Sequence, residues 1–124
     1  FNHRGNNYNN NQLTGVPSHT FFSKIKFEYN KMIGQISFKN IGKIPINDSN
    51  ELYTDRYSLV DVKLSRKIIS RSININFSTG INNLFDMKYA SGVVINARGF
   101  GGRDPRYYYP GLPRNYFISL NISI

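Results

Sequence analysis

The chain has 124 residues, no cysteine, and 16 Lys or Arg against 7 Asp or Glu, giving a formal net charge of +9. A disulfide framework and a thiolate metal site are thereby excluded, and no apolar run reaches the roughly 18 residues of a membrane-spanning helix. The charge invites a nucleic-acid reading, but the Lys and Arg residues are spread over strand faces and loops without a basic run, so nucleic acid is not an expected partner.

Aromatic residues are abundant, with nine Tyr and nine Phe, and alanine is scarce. Together with the many β-branched, Asn and Ser residues this composition argues against helix. No window keeps apolar residues at i, i+3, i+4 and i+7 through its glycines and asparagines, so the chain reads as all-β. It opens on Phe1 with no signal sequence, which leads to the expectation of a piece of a longer chain or a processed product.

Residues 1–17 are rich in Asn and Gly, have no period, and read as a loop ended by Pro17. His3 and His19 have no acidic or Cys partner at ligand spacing, so both are expected as solvent or interface residues rather than metal ligands. The first strand is expected at about 20–29. Phe21, Ile25, Phe27 and Tyr29 share a face with Ser23, and Lys24, Lys26 and Glu28 share the other with Phe22. Asn30-Lys31 forms a short turn into a second strand at about 32–41, with Met32, Gly34, Ile36 and Phe38 on its apolar side. Residues 42–56, with Pro45, Asp48, Ser49 and Asn50, read as a long loop.

The third strand is expected at about 57–68, where Val60, Val62 and Leu64 alternate with Asp61, Lys63 and Ser65, and Arg66 falls on the apolar face near the strand end. Ile69-Ser70-Arg71 makes a tight connection to the fourth strand, at about 72–85. There the alternation is unbroken over ten residues: Ile73, Ile75, Phe77, Thr79 and Ile81 against Asn74, Asn76, Ser78, Gly80 and Asn82. Residues 87–115 carry many Gly and Pro and read as the longest loop. The last strand, about 116–124, sets Tyr116, Ile118, Leu120, Ile122 and Ile124 against Phe117, Ser119, Asn121 and Ser123.

Connections thus alternate short and long, so every tight turn lies at one end of the strands and every long loop at the other. Tyr29, Tyr57, Tyr89 and Tyr116 gather near strand ends. Transmembrane barrels have both properties, with short periplasmic turns, long extracellular loops and aromatic girdles. On this reading the polar positions Lys24, Lys26, Glu28, Asp61, Lys63, Asn74 and Asn76 face a wet lumen and the apolar ones face lipid. Five strands leave open edges, which hydrocarbon does not tolerate, so they are expected to be the end of a larger barrel.

Four strings then resemble those of one family. Asn82-Asn83-Leu84-Phe85-Asp86-Met87-Lys88-Tyr89 is similar to the N-N-L-F-D-x-x-Y string near the carboxyl end of TonB-dependent outer-membrane receptors. Gly15-Val16-Pro17-Ser18-His19 resembles that family's G-x-P-x-H entry into a strand, and Tyr57-Ser58-Leu59-Val60-Asp61 its Y-x-L-V-D strand. Pro110-Gly111-Leu112-Pro113-Arg114-Asn115-Tyr116 resembles its P-G-x-P-R-x-[YF] lead-in to the final strand. The resemblance spans residues 15–124.

It implies an antiparallel transmembrane β-barrel of 22 strands, occluded by an amino-terminal plug, with this chain supplying the carboxyl-terminal five strands. It further implies a location in the bacterial outer membrane and import of a scarce nutrient: an iron–siderophore complex, haem, a cobalamin-type ligand or, in some members, a glycan. The energy would come from the TonB complex acting on a plug that this segment does not contain. Implied partners are outer-membrane lipid, lipopolysaccharide and the nutrient complex, with a surface-exposed lipoprotein or other subunits in addition. The family commonly ends on an aromatic residue read by the assembly machinery. Ile124 departs from that pattern, leaving open a variant signal or a chain that continues.

No catalytic constellation, metal set or cofactor motif is visible, and no enzymatic activity is expected. Asp61 with Lys63, and Lys26 with Glu28, are same-face pairs suited to a structural or solvating role. The strongest candidates for ligand contact are Arg98, Arg103, Arg106, Tyr107, Tyr108 and Tyr109, beside Asp104 in the last long loop. Guanidinium forks match carboxylate, phosphate or catecholate oxygens, and Tyr adds flat contact area. Lipopolysaccharide phosphates or neighbouring loops are the competing occupants of these arginines. Two other architectures compete with the receptor: a different outer-membrane barrel, such as a porin or translocator, and a soluble basic β-sandwich with a dry core between two sheets.

Overall fold

The computed structural model describes residues 2–3, 5–7, 9–70 and 73–123, with the backbone alone for Asn2, His3, Asn6 and Asn7. The expectations placed on Phe1, Arg71, Ile124 and the side chain of His3 lie outside the described residues. The strands are β1 (Asn2–His3), β2 (Asn6–Asn7), β3 (Thr20–Tyr29), β4 (Met32–Ile41), β5 (Tyr57–Ser70), β6 (Ile73–Asn82), β7 (Ala90–Val93), β8 (Tyr108–Pro110) and β9 (Asn115–Ser123). No helix occurs among the described residues. β3-β4-β5-β6-β9 form one five-stranded sheet, and β1 with β2 and β7 with β8 form two small ones. The protein is all-β, as its composition requires.

β3 and β4 have the expected bounds, and the turn between them has Asn30 at φ 46° and Lys31 at φ 64°. Two left-handed residues in succession are the twist-compatible hairpin connection. Other bounds differ from expectation: the segment 1–17 is not wholly a loop, since β1 pairs with β2, and β9 begins one residue early, at Asn115 opposite Asn82. β5 continues past 68, because Ile68, Ile69 and Ser70 pair with Ile75, Asn74 and Ile73. Arg66 is consequently not at a strand end but opposite Phe77, inside the ladder. β6 stops at Asn82 rather than 85, because Asn83 takes φ 52° and Asp86 φ 54°, which extended backbone cannot accommodate. The stretch 87–115 is not wholly irregular, since it contains the β7–β8 pair, bulged between Ala90 and Gly92.

Registers carry the alternation across the sheet. Leu64, Thr79 and Ile118 stand in one row, and Arg66, Phe77 and Leu120 in the next. The opposite face carries the rows Lys63, Gly80, Phe117 and Ser65, Ser78, Ser119. Gly80 is required where it stands: an added Cβ would meet the Val62 carbonyl and the Phe117 ring. Gly34 holds the same relation to the Phe27 ring. Each aromatic ring covers backbone that its glycine leaves bare.

The chain divides into two compact units: Phe1–Thr20, Asn40–Tyr57 and Lys88–Gly111 in one, Phe21–Lys39, Ser58–Met87 and Leu112–Ile124 in the other. The first has an apolar core of Ile41, Ile46 and Tyr57 with Pro45 fully buried. In the second, which holds most of the five-stranded sheet, the buried side chains are Ser37, Ser78 and Asn83. Its large apolar residues are open: Ile25 is 63%, Phe27 57%, Leu120 59% and Ile118 76% exposed.

Candidate functional site

The string 82–89 is a clamp of backbone and amide groups. Asn83, buried and left-handed, donates from its amide nitrogen to the carbonyls of Met87 (2.9 Å) and Leu112 (3.1 Å). Its amide oxygen accepts from Met87 N–H at 2.8 Å. Its own N–H donates to an Asp61 carboxylate oxygen at 2.9 Å. Asp86 accepts from Arg114 N–H at 2.7 Å, and the Asn82 amide donates to the Asn115 amide oxygen at 2.8 Å. Only an amide both donates and accepts here, and Asn tolerates positive φ better than other non-glycine residues. The clamp therefore ties the exit of β6 to the segment that leads into β9.

Asp61 is thereby spoken for. Neither Asp61–Lys63 nor Lys26–Glu28 forms an ion pair among the described residues, correcting the pairing that their spacing invites. Asp61 instead accepts from a backbone N–H that the turn leaves without a partner. Lys24 holds its ammonium 5.5 Å from the centroid of the Phe22 ring, while Lys26, Glu28 and Lys63 are exposed. Asn74 and Asn76 stand opposite Ser123 and Asn121.

In the first unit, Asp48 joins three segments. Its carboxylate accepts from the Thr14 hydroxyl (2.6 Å) and the Asn96 amide (3.0 Å), and its carbonyl from the Asn11 amide (2.7 Å). Backbone bonds from Gly15 N to the Pro45 carbonyl (2.8 Å) and from Asn96 N to the Ile46 carbonyl (2.8 Å) run beside them. Sequence reading passed over Asp48 and Asn96. An Asp-Ser-Asn turn announces Asp48 only as a loop residue, and its partners are 34 and 48 positions away.

Tyr107, Tyr108 and Tyr109 do not form a continuous platform. Tyr108 pairs with Val93 and Tyr109 with Gly92, so the rings alternate across the β7–β8 hairpin. Arg98, Arg103 and Arg106 are exposed, and none stands over a tyrosine ring among the described residues. Between Arg98 and Arg103, the Phe100–Arg103 bridge closes a tight turn, with Gly101 at φ 61° and Gly102 at φ 74°. Phe100 at that tip is 92% exposed, and nothing in the sequence pattern marks it.

His19 does have a partner, the Asn40 amide oxygen, 2.8 Å from Nε2. No group of three or more His, Cys, Asp or Glu residues suited to a metal ion occurs among the described residues. No family model matches the chain.

Proposed function

We propose that this chain is the carboxyl-terminal segment of the transmembrane β-barrel of a TonB-dependent outer-membrane receptor, importing a scarce nutrient complex. The observation that carries this reading is the inverted burial of the five-stranded sheet. Its small polar face holds the buried positions Ser37 (8% exposed) and Ser78 (3% exposed). Its other face presents Leu64, Ile68, Ile73, Phe77, Tyr116, Ile118, Leu120 and Ile122, each at least 39% exposed. At about 1.5–3 kcal/mol for each fully buried large apolar side chain, leaving such a face in water forgoes on the order of 10 kcal/mol, comparable to a domain's whole stability. A lipid environment covers it without any protein partner.

The same observation weighs against the β-sandwich, whose core requires a second sheet over the apolar face. Among the described residues, the buried apolar ones fall within 41–57, and none is among the large apolar residues of that face. In the receptor reading, Arg66 stands on the lipid-facing side within the ladder, opposite Phe77. Lys24, Lys26, Glu28, Lys63, Asn74 and Asn76 face the lumen, and the loop bearing Arg98, Arg103, Arg106 and Tyr107–Tyr109 contributes ligand contacts outside the membrane. The four sequence strings distinguish this reading from a porin or translocator.

The test is uptake by the host. Cells lacking the gene are compared with wild-type cells for accumulation of labelled ferric siderophore, haem and cobalamin, with and without TonB. Uptake of one of these that requires both the gene and TonB is the expected result. Gene-dependent uptake that persists without TonB points to a porin-like barrel and contradicts the assignment.

A further inference from the structure

We propose that the first unit contains a binding site for a phosphate group, in the cleft walled by Gln12, Ser18, His19, Lys43, Tyr53 and Arg56. The cleft measures about 420 Å³. Its lining residues all belong to segments 1–20 and 40–57, so the proposal does not rest on the membrane reading.

The site is built by backbone. Ser18 N–H donates to the Lys43 carbonyl at 3.0 Å, and Gly42 N–H to the His19 carbonyl at 2.9 Å. This pairing seats Ser18 and His19 against Gly42, which lines the cleft and is buried. A Cβ at Gly42 would run into the Ser18 hydroxyl and the imidazole, so any other residue there pushes both side chains out of place. The bond from His19 Nε2 to Asn40 fixes the ring.

The chemistry of the wall is one-sided. Lys43 and Arg56 bring two cations, Ser18 and Tyr53 bring hydroxyls, Gln12 brings an amide, and no carboxylate lines the cleft. Neither Lys43 nor Arg56 has an ion-pair partner among the described residues. Two like charges held in one cleft repel each other, and a bound anion turns that repulsion into attraction. A phosphate suits the wall better than a carboxylate. It carries more charge and more acceptor oxygens, and those oxygens can take an Arg fork, an ammonium and hydroxyl donors at once. The phosphate can come from a soluble ion or ester, or from a lipid headgroup.

The experiment uses the purified protein, with any detergent removed before vesicles are added. Inorganic phosphate binding is measured by calorimetry, and binding to vesicles of neutral phospholipid with and without phosphatidic acid by co-flotation. The double variant Lys43→Gln/Arg56→Gln is compared with Lys24→Gln/Lys26→Gln, which removes the same charge elsewhere. The expected result is at least a tenfold loss of affinity in the first variant and less than a twofold change in the second, with unchanged thermal unfolding. Gly42→Ala, which keeps every charge, is expected to weaken binding severalfold. Variant-sensitive binding of inorganic phosphate supports a soluble source; variant-sensitive binding of phosphatidic acid vesicles alone supports a lipid headgroup. Equal losses in the two double variants, or no binding of either probe, overturn the proposal.

Discussion

The two units of this protein differ in whether they bury large apolar side chains: the first does, beside the buried Thr54, and the second does not among its described residues. In the unit made of segments 1–20, 40–57 and 88–111, Ile41, Pro45, Ile46 and Tyr57 are inside, and Asp48 and its partners join the segments around them. In the five-stranded unit the buried side chains are Ser37, Ser78 and Asn83, and large apolar residues such as Ile25, Ile118 and Leu120 are exposed. The first is the arrangement water imposes on a folded chain. The second suits a surface whose solvent is apolar, where backbone groups pair in the ladder and the Thr79 hydroxyl donates to the Phe117 carbonyl at 3.0 Å. A loop-built unit with an apolar core, in the same chain as a sheet without one, is what the proposed receptor would require of a sheet facing lipid.

Substitutions sharpen the contrast, beginning with the largest effect expected. Asn83→Ala removes the amide that serves Met87 and Leu112 and leaves alanine at positive φ. At about 1 kcal/mol per hydrogen bond plus backbone strain, the loss is about 4 kcal/mol, read as a fall in the unfolding midpoint. Ile46→Ala, at a site only 5% exposed, opens a cavity in the first unit and costs about 3 kcal/mol.

Ile118→Lys costs about 2–3 kcal/mol if its face meets hydrocarbon, whereas Ser119→Lys on the opposite face costs less than about 0.5 kcal/mol. Equal tolerance at the two neighbours, in folding titrations into lipid vesicles, would break the comparison. Asp48→Ala frees Thr14 and Asn96 and costs about 2 kcal/mol within the first unit. Its signature is faster hydrogen exchange at Gly15 and Asn96, with the sheet amides unchanged.

Sequence alone made the sheet legible because a period of two survives any uncertainty about the solvent on either side. β3 and β4 could be bounded from Phe21 to Ile41, with the turn at Asn30-Lys31, since alternation ends where left-handed residues begin. The loop unit was not legible. Asp48 meets Thr14 and Asn96 across long separations, and Tyr108 finds Val93 through a bulged pairing that leaves no alternation in Ala90-Ser91-Gly92-Val93. The polar string around Asn83 was visible as a motif, but its work as a hydrogen-bonded clamp depends on φ angles that composition does not reveal. Ser78 reads as a polar-face residue; that it is also the most buried residue of β6 follows from the sheet as a whole.

The absence of cysteine from this stretch makes a direct measurement available. Single substitutions Ile118→Cys, Ser119→Cys, Leu120→Cys and Asn121→Cys are made in the protein as expressed in its host, and cell envelopes are prepared. Each is then treated with a small water-soluble thiol reagent, and separately with a fluorophore and lipid-borne quenchers. Reaction with the aqueous reagent at 119 and 121, with protection and lipid quenching at 118 and 120, is the predicted result. Aqueous labelling at 118 and 120 as fast as at 119 and 121, without lipid quenching, would contradict the assignment of the apolar face to the bilayer.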